Sequence, residues 1–135
     1  MRAIVIIPTY NEADNIQRFL TQVRQDAPNT DILVVDDNSP DGTAKLAESV
    51  ASQLGSIKVI NRTGKRGYAA ASREVMQSAI DSGYEVIATM DADFSHDPLV
   101  LEQLIAQVAN GSSLVIGSRY VAGGKVTNWT LFRRA

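Results

Sequence analysis

A chain of 135 residues, 44% hydrophobic and 21% charged, has the size and make-up of one globular domain. Its net charge of −2 argues against a general nucleic-acid binder, which carries a basic surplus, and the absence of cysteine excludes disulfides and thiolate metal sites and fits a reducing compartment. Apolar runs such as Ala3 to Ile7 fall far short of the roughly 20 residues needed to span a bilayer as a helix.

Met1-Arg2 leads straight into Ala3 to Ile7, a continuous β-rich run that reads as a buried parallel strand and not as a signal peptide. Pro8-Thr9-Tyr10-Asn11 breaks it, and Ile16, Phe19, Leu20 and Val23 then recur at helical spacing until Pro28-Asn29. Ile32 to Val35 predicts a second strand. The polar turn Asp36 to Gly42 follows, and Thr43 is the expected cap of a helix carrying Leu46, Val50 and Leu54, with Gly55 as its stop. Ile57 to Ile60 predicts a third strand, and Gly64-Lys65-Arg66-Gly67 a loop before an alanine-rich helix to about Ser82. Val86 to Met90 predicts a fourth strand ending at Asp91. Asp97-Pro98 opens a helix with Leu101, Leu104, Ile105 and Val108 on its inner face, closed by Asn110-Gly111. Leu114 to Ile116 predicts a fifth strand, followed by Arg119, a Gly123-Gly124 loop and an aromatic, basic tail from Asn128 to Arg134.

Strict alternation of strand and helix implies a mainly parallel sheet with helices on both faces. Ligands on such sheets sit beyond the carboxyl ends of the strands. The polar clusters 8–12, 36–42, 61–67, 91–97 and 117–124 all follow strands, so they should gather along one edge.

Asp91-Ala92-Asp93 is the sharpest of these clusters. Residues i and i+2 at a strand end point the same way, and two carboxylates aimed at one point repel unless a cation or proton lies between them. Mg²⁺ or Mn²⁺, which take one or two carboxylates plus phosphate oxygens, fit the pair; the alternative is a solvated turn. Asp37 is either a reader of nucleobase N–H groups or a brace for the turn that follows it. Asp37, Ser39, Asp41, Gly42 and Glu48 nearly match a calcium-binding loop, but such loops lie between two helices and here a β-rich run precedes. Arg62, Lys65 and Arg66 around two glycines offer cations and N–H groups to phosphate or form an exposed basic turn. Arg119 is a better phosphate ligand, because guanidinium binds in bidentate fashion. His96, the sole histidine, reads as a packing residue ahead of a catalytic one.

Pro8-Thr9-Tyr10-Asn11-Glu12, Val35 to Thr43 and Met90-Asp91-Ala92-Asp93 together resemble the motifs of family 2 glycosyltransferases. Arg62 to Gly67, Phe94-Ser95-His96-Asp97-Pro98 and Gly117-Ser118-Arg119-Tyr120 with Gly123-Gly124 are similar to the polyprenyl-phosphate (dolichyl-phosphate) mannosyltransferase branch, in order along nearly the whole chain. The resemblance implies a GT-A, Rossmann-like fold and an inverting transfer of mannose from GDP-mannose to a polyprenyl phosphate; Asp37 could accept from either base, which leaves UDP-glucose open as donor, and the expected location is the cytoplasm or the cytoplasmic face of a membrane. It implies that Pro8, Tyr10, Glu12, Val35 and Asp37 hold the nucleoside. Asp91 and Asp93 would hold the metal and diphosphate, with Ala92 lining the segment and Ser95 near the metal. Arg119 would reach a phosphate or the sugar, so Asp91, Asp93 and Arg119 are the expected catalytic set, and Lys65 joins the substrate-binding one. A phosphate monoester is already dianionic near neutral pH, so this reaction needs no general base, and none is evident.

Tyr68-Ala69-Ala70-Ala71-Ser72 departs from the pattern by lacking a glycine usual at the family's helix start. The expected division is a nucleotide-sugar-binding domain over 1–124 and the start of an acceptor-side segment over 125–135, truncated there. A chain of that kind should bind donor, transfer poorly and self-associate. Two other classes compete: a phosphoacceptor receiver domain, on the acidic Ile32 to Asn38 run and Met90-Asp91-Ala92, and a nucleotide-sugar-binding module without turnover.

Overall fold

The computed structural model describes residues 2–63, 68–95 and 97–111. They form β1 (Ala3–Thr9), α1 (Ile16–Asp26), β2 (Asp31–Asp36), α2 (Thr43–Leu54), β3 (Ile57–Asn61), α3 (Tyr68–Asp81), β4 (Val86–Thr89), a 3₁₀ turn (Pro98–Val100) and α4 (Leu101–Ala109). The four strands make one sheet in the order β3-β2-β1-β4, and every pairing is parallel. The expected fifth strand at Leu114 to Ile116, the Gly64 to Gly67 loop with Lys65 and Arg66, His96, Arg119, Gly123-Gly124 and the tail lie outside the described residues.

β1 is central because almost every one of its side chains is apolar and buried, which suits a strand covered on both faces. Val5 and Ile7 share one face with Ile32, Val34 and Ile57, and on that face they meet Ile16, Phe19, Leu20 and Val23 of α1, Ala47 and Val50 of α2, and Leu101 of α4. Ile4 and Leu33 point the other way. With Ile60 and with Val75, Ser78 and Ala79 of α3 they line a cavity of about 540 Å³, which puts α3 on the opposite face. The crossover from β3 through α3 to β4 therefore passes over the sheet and returns on the far side of β1, as the alternation predicts.

Two local expectations are corrected and a third is refined. Pro8 does not end the first strand: β1 runs on to Thr9, and Pro8 stands opposite Val35 in the ladder. Proline lacks an N–H but keeps its carbonyl, so it is tolerated near a strand end. Thr43 does not cap α2. It is the first helical residue, and the Asp41 carboxylate takes its N–H (3.1 Å) and its hydroxyl instead, while Gly42 supplies the left-handed φ of 86° at the cap position. Asp97 caps as expected, accepting from Leu99 N at 2.9 Å, but the helix it opens begins as a 3₁₀ turn.

At the end of the sheet away from the strand carboxyl termini, Arg24 ties two loops together. Arg24 Nη1 donates to the carbonyls of Ala27 (3.5 Å), Pro28 (3.3 Å) and Thr30 (2.8 Å), and Nη2 to those of Gly55 (3.2 Å) and Ser56 (3.1 Å). One planar guanidinium thus closes the α1–β2 and α2–β3 loops together. Arg24→Ala should cost about 1.5–3 kcal/mol of unfolding free energy in urea titration, with an unchanged m value, and Arg24→Lys should recover little, because an ammonium cannot reach both loops.

Candidate functional site

The order β3-β2-β1-β4 makes the boundary between β1 and β4 a topological switch point, where the chain's crossovers leave to opposite sides and open a crevice beyond the strand ends. Three polar segments border it: 9–12 after β1, 36–41 after β2 and 91–95 after β4. Register holds them level. Thr9 pairs with Asp36, and Met90 N donates to the Ile6 carbonyl (3.1 Å) just before Asp91.

The first two segments are locked together through Asp36, which is fully buried. Its Oδ1 accepts from the Thr9 hydroxyl (2.7 Å) and the Ser39 hydroxyl (2.6 Å), and its Oδ2 from Ser39 N (2.8 Å). The Asp37 N–H donates to the Thr9 carbonyl at 3.0 Å. Beyond this knot, three successive amides of the β1 loop find side-chain acceptors from the β2 loop. Asn11 N donates to Ser39 Oγ (2.9 Å), Glu12 N to Thr43 Oγ1 (3.0 Å) and Ala13 N to Asp41 Oδ2 (3.1 Å). Asn11 and Asn38 take the left-handed conformation, with φ of 54° and 55°, which asparagine tolerates better than most residues. Ser39 donates to Asp36, and both readings of Asp37 stay open.

The crevice wall is acidic. Glu12 is half-buried, and its carboxyl is raised above the ordinary value of 4.5, first by desolvation and then by repulsion from Asp93, Asp91 and Asp41, against the opposing bond from the Asn15 amide. Mutual repulsion of this kind places the Asp91-Ala92-Asp93 carboxylates within electrostatic reach of Glu12 across the β1–β4 boundary. Asp41 is lowered, chiefly by the Thr43 hydroxyl. Ala92 is buried in the main hydrophobic core. Asp93 Oδ1 accepts from Ser95 N at 2.9 Å, and the buried Ser95 Oγ has no hydrogen-bond partner among the described residues. Tyr10 is half exposed at the rim, while Pro8 and Val35 lie side by side on neighbouring strands. Two candidates that sequence pattern alone did not single out, Asp36 and Phe94, hold the loops that carry the others.

Among the described residues no three acidic or histidine side chains are close enough to hold an ion by themselves. A pair of carboxylates beside an unsatisfied hydroxyl instead suits a hard divalent cation that completes its shell with phosphate oxygens. An orphaned buried hydroxyl is unfavourable unless something binds there, so the donor set fits such an ion.

A four-stranded parallel sheet with helices on both faces and polar loops beyond its strand ends defines an α/β protein of the GT-A-like class. Residues 4–135 match the family described as glycosyl transferase family 2, and the chain belongs to that family. It is 43% identical over 134 residues to an undecaprenyl-phosphate mannosyltransferase of Micrococcus luteus, covering 99% of this chain and 55% of that protein. It is 46% identical over 129 residues to a polyprenol monophosphomannose synthase of Mycolicibacterium smegmatis, covering 95% and 49%. The chain thus spans about half the length of these curated relatives. Among solved structures, a mannosyltransferase of Pyrobaculum calidifontis in complex with GDP-Man and Mn²⁺ superposes with a TM-score of 0.59 at 30% identity, over 68% of this chain and 27% of that one. S. aureus TarS shares the fold, with a TM-score of 0.63 at 24% identity over 82% and 20%. Family membership removes the ground for a receiver domain.

The raised carboxyl of Glu12 sets a pH signature. A folded-state value above the unfolded one favours the native state while Glu12 is protonated, and that advantage is lost as pH rises through the raised value. Glu12→Gln should therefore melt higher than wild type at neutral pH, and the gain should vanish below pH 4.5. Paired thermal melts across that range check it.

Proposed function

We propose that this chain is the donor-binding part of a glycosyltransferase that moves mannose from GDP-mannose, ahead of glucose from UDP-glucose, onto a polyprenyl phosphate. The observation that carries the reading is the buried Ser95 hydroxyl left without a hydrogen-bond partner among the described residues, on the loop after β4 that also carries Asp91 and Asp93, where Asp93 Oδ1 accepts from Ser95 N. The names of the mannosyltransferase relatives and the GDP-Man and Mn²⁺ bound by one structural neighbour support it.

In this reading Asp37 accepts from the base N–H groups at the end of β2, and Pro8, Val35, Tyr10 and Glu12 border the nucleoside. Asp91, Asp93 and Ser95 hold Mg²⁺ or Mn²⁺ with the diphosphate, and the ion when bound neutralises the leaving group. Lys65 and Arg119 supply further cations to phosphate or sugar. The acceptor phosphate attacks the anomeric carbon as a dianion, so the protein's work is positioning and charge neutralisation, not proton abstraction. A lipid-linked acceptor places the reaction at a membrane surface, on its cytoplasmic side, with peripheral contact by this chain. No described helix is long and apolar enough to cross a membrane. Residues 1–124 form the donor domain in this scheme and 125–135 begin the acceptor side, where self-association of the chain is also expected.

Two substitutions separate the roles. Asp93→Asn should weaken GDP binding in Mn²⁺ by about tenfold or more, equivalent to about 1.4 kcal/mol, with little change in melting temperature; equal GDP affinity in EDTA and in Mn²⁺ for the unaltered protein contradicts the metal role. Asp37→Ala should cost about 1.5–3 kcal/mol with GDP and with UDP alike, since the lost acceptor serves a ring N–H of either base. Isothermal titration calorimetry measures both. An unchanged nucleotide affinity in the Asp37 variant would reduce that residue to a turn element.

A further inference from the structure

The loop that carries Asp91 and Asp93 contains a residue whose conformation is costly and whose side chain is gripped from two sides. Phe94 has φ of 61°. For a bulky side chain this left-handed conformation is a true outlier and persists only where the surroundings enforce it. Its ring meets the fully buried Phe19 edge to face, with centroids 5.1 Å apart and planes at 79°. The Arg18 guanidinium stacks over the same ring, 4.7 Å from its centroid. Both partners are on α1, and Phe19 is rooted in the main core. Around Phe94 the backbone is pinched by the bond from Ser95 N to Asp93 Oδ1, and Ala92 and Ser95 on either side are buried.

The chemistry proposed for the site does not use Phe94, yet its ring is the part of the loop that contacts α1 from two sides. Of the four non-glycine residues with positive φ among the described residues, three stand next to candidate site residues: Asn11 beside Tyr10 and Glu12, Asn38 beside Asp37, and Phe94 beside Asp93. The two asparagines suit that conformation. Phe94 does not, so its ring contacts must compensate.

We propose that Phe94 is a positioning residue: clamped between Phe19 and Arg18, it fixes the 91–95 loop so that Asp91, Asp93 and Ser95 face the crevice together. The inference rests on the cation and diphosphate role assigned to that loop above. A flexible loop would still carry the same donors but would have to order them on binding, which costs affinity.

The test is calorimetric titration of GDP in Mn²⁺ and in EDTA, well below the melting temperature, with folding checked by far-UV circular dichroism. Phe94→Ala should lose about tenfold or more of the Mn²⁺-dependent affinity, as supporting residues around metal ligands do, while binding in EDTA stays near wild type. Phe94→Leu should retain most of it, because an apolar side chain still reaches Phe19. Phe94→Gly separates the two elements of the clamp: glycine accepts φ of 61° without strain, so it should behave like Ala if the ring matters. Arg18→Ala, on the exposed side of α1, should move Mn²⁺-dependent affinity in the same direction by a smaller factor without changing any residue of the loop. A Gly or Ala variant that binds like wild type in Mn²⁺, or that loses binding equally in EDTA, overturns the inference while leaving the site assignment standing. A wild-type chain with no Mn²⁺-dependent GDP binding overturns both.

Discussion

The structure turns on the buried carboxyl group of Asp36. A buried polar group must find partners, and this one finds the Thr9 hydroxyl on the neighbouring strand and the Ser39 hydroxyl and amide in its own turn. Those bonds join the ends of β1 and β2. Ser39, Thr43 and Asp41 then take the amides of residues 11–13, so the two loops form one rigid unit. Without this knot, Tyr10, Glu12 and Asp37 would sit on independent loops, and a nucleotide would have to order both of them on binding.

The other wall of the crevice is built on different physics. The 91–95 loop is held by ring packing and a cation over an aromatic face, rooted on α1, where the 9–13 and 36–41 loops are held by hydrogen bonds. Between the two walls, burial and the nearby Asp93 and Asp91 hold the Glu12 carboxyl above its ordinary value. Nothing in packing requires acidic residues there. A cation-bearing ligand would relieve the repulsion on Glu12, which is the role proposed for this crevice.

Much of this arrangement was legible in the sequence. The apolar run of β1, the buried stripe Ile16, Phe19, Leu20 and Val23, and the alternation of strand and helix prescribe a parallel sheet, and the polar clusters after strands locate the edge that carries function. Side-chain partnerships were less legible. Asp36 and Asp37 are adjacent and chemically identical, and only the pleat, which buries one at the strand's last position, makes it the brace. Thr43 has the composition of a cap, but it is the first helical residue, and its own amide and hydroxyl donate to Asp41 two residues earlier. Pro8 reads as a terminator because its missing N–H weakens a ladder, yet its fixed φ is compatible with the strand. Phe94 sits in a motif whose neighbours are acidic, and its role depends on a distant contact with α1 that spacing does not encode. Lys65 and Arg119, like His96, fall outside the described residues.

The central claim is that the crevice between β1 and β4 binds a nucleoside diphosphate together with a divalent cation held by Asp91 and Asp93. Paramagnetic broadening tests it most directly, because a bound Mn²⁺ ion erases the amide signals of the residues around it. With ¹⁵N-labelled protein and substoichiometric Mn²⁺ plus GDP, the account predicts selective loss of signals from residues 9–12, 36–39 and 91–95, reversed by EDTA and reduced by Asp93→Asn. Broadening centred elsewhere, or no selective broadening when GDP is present, would contradict it.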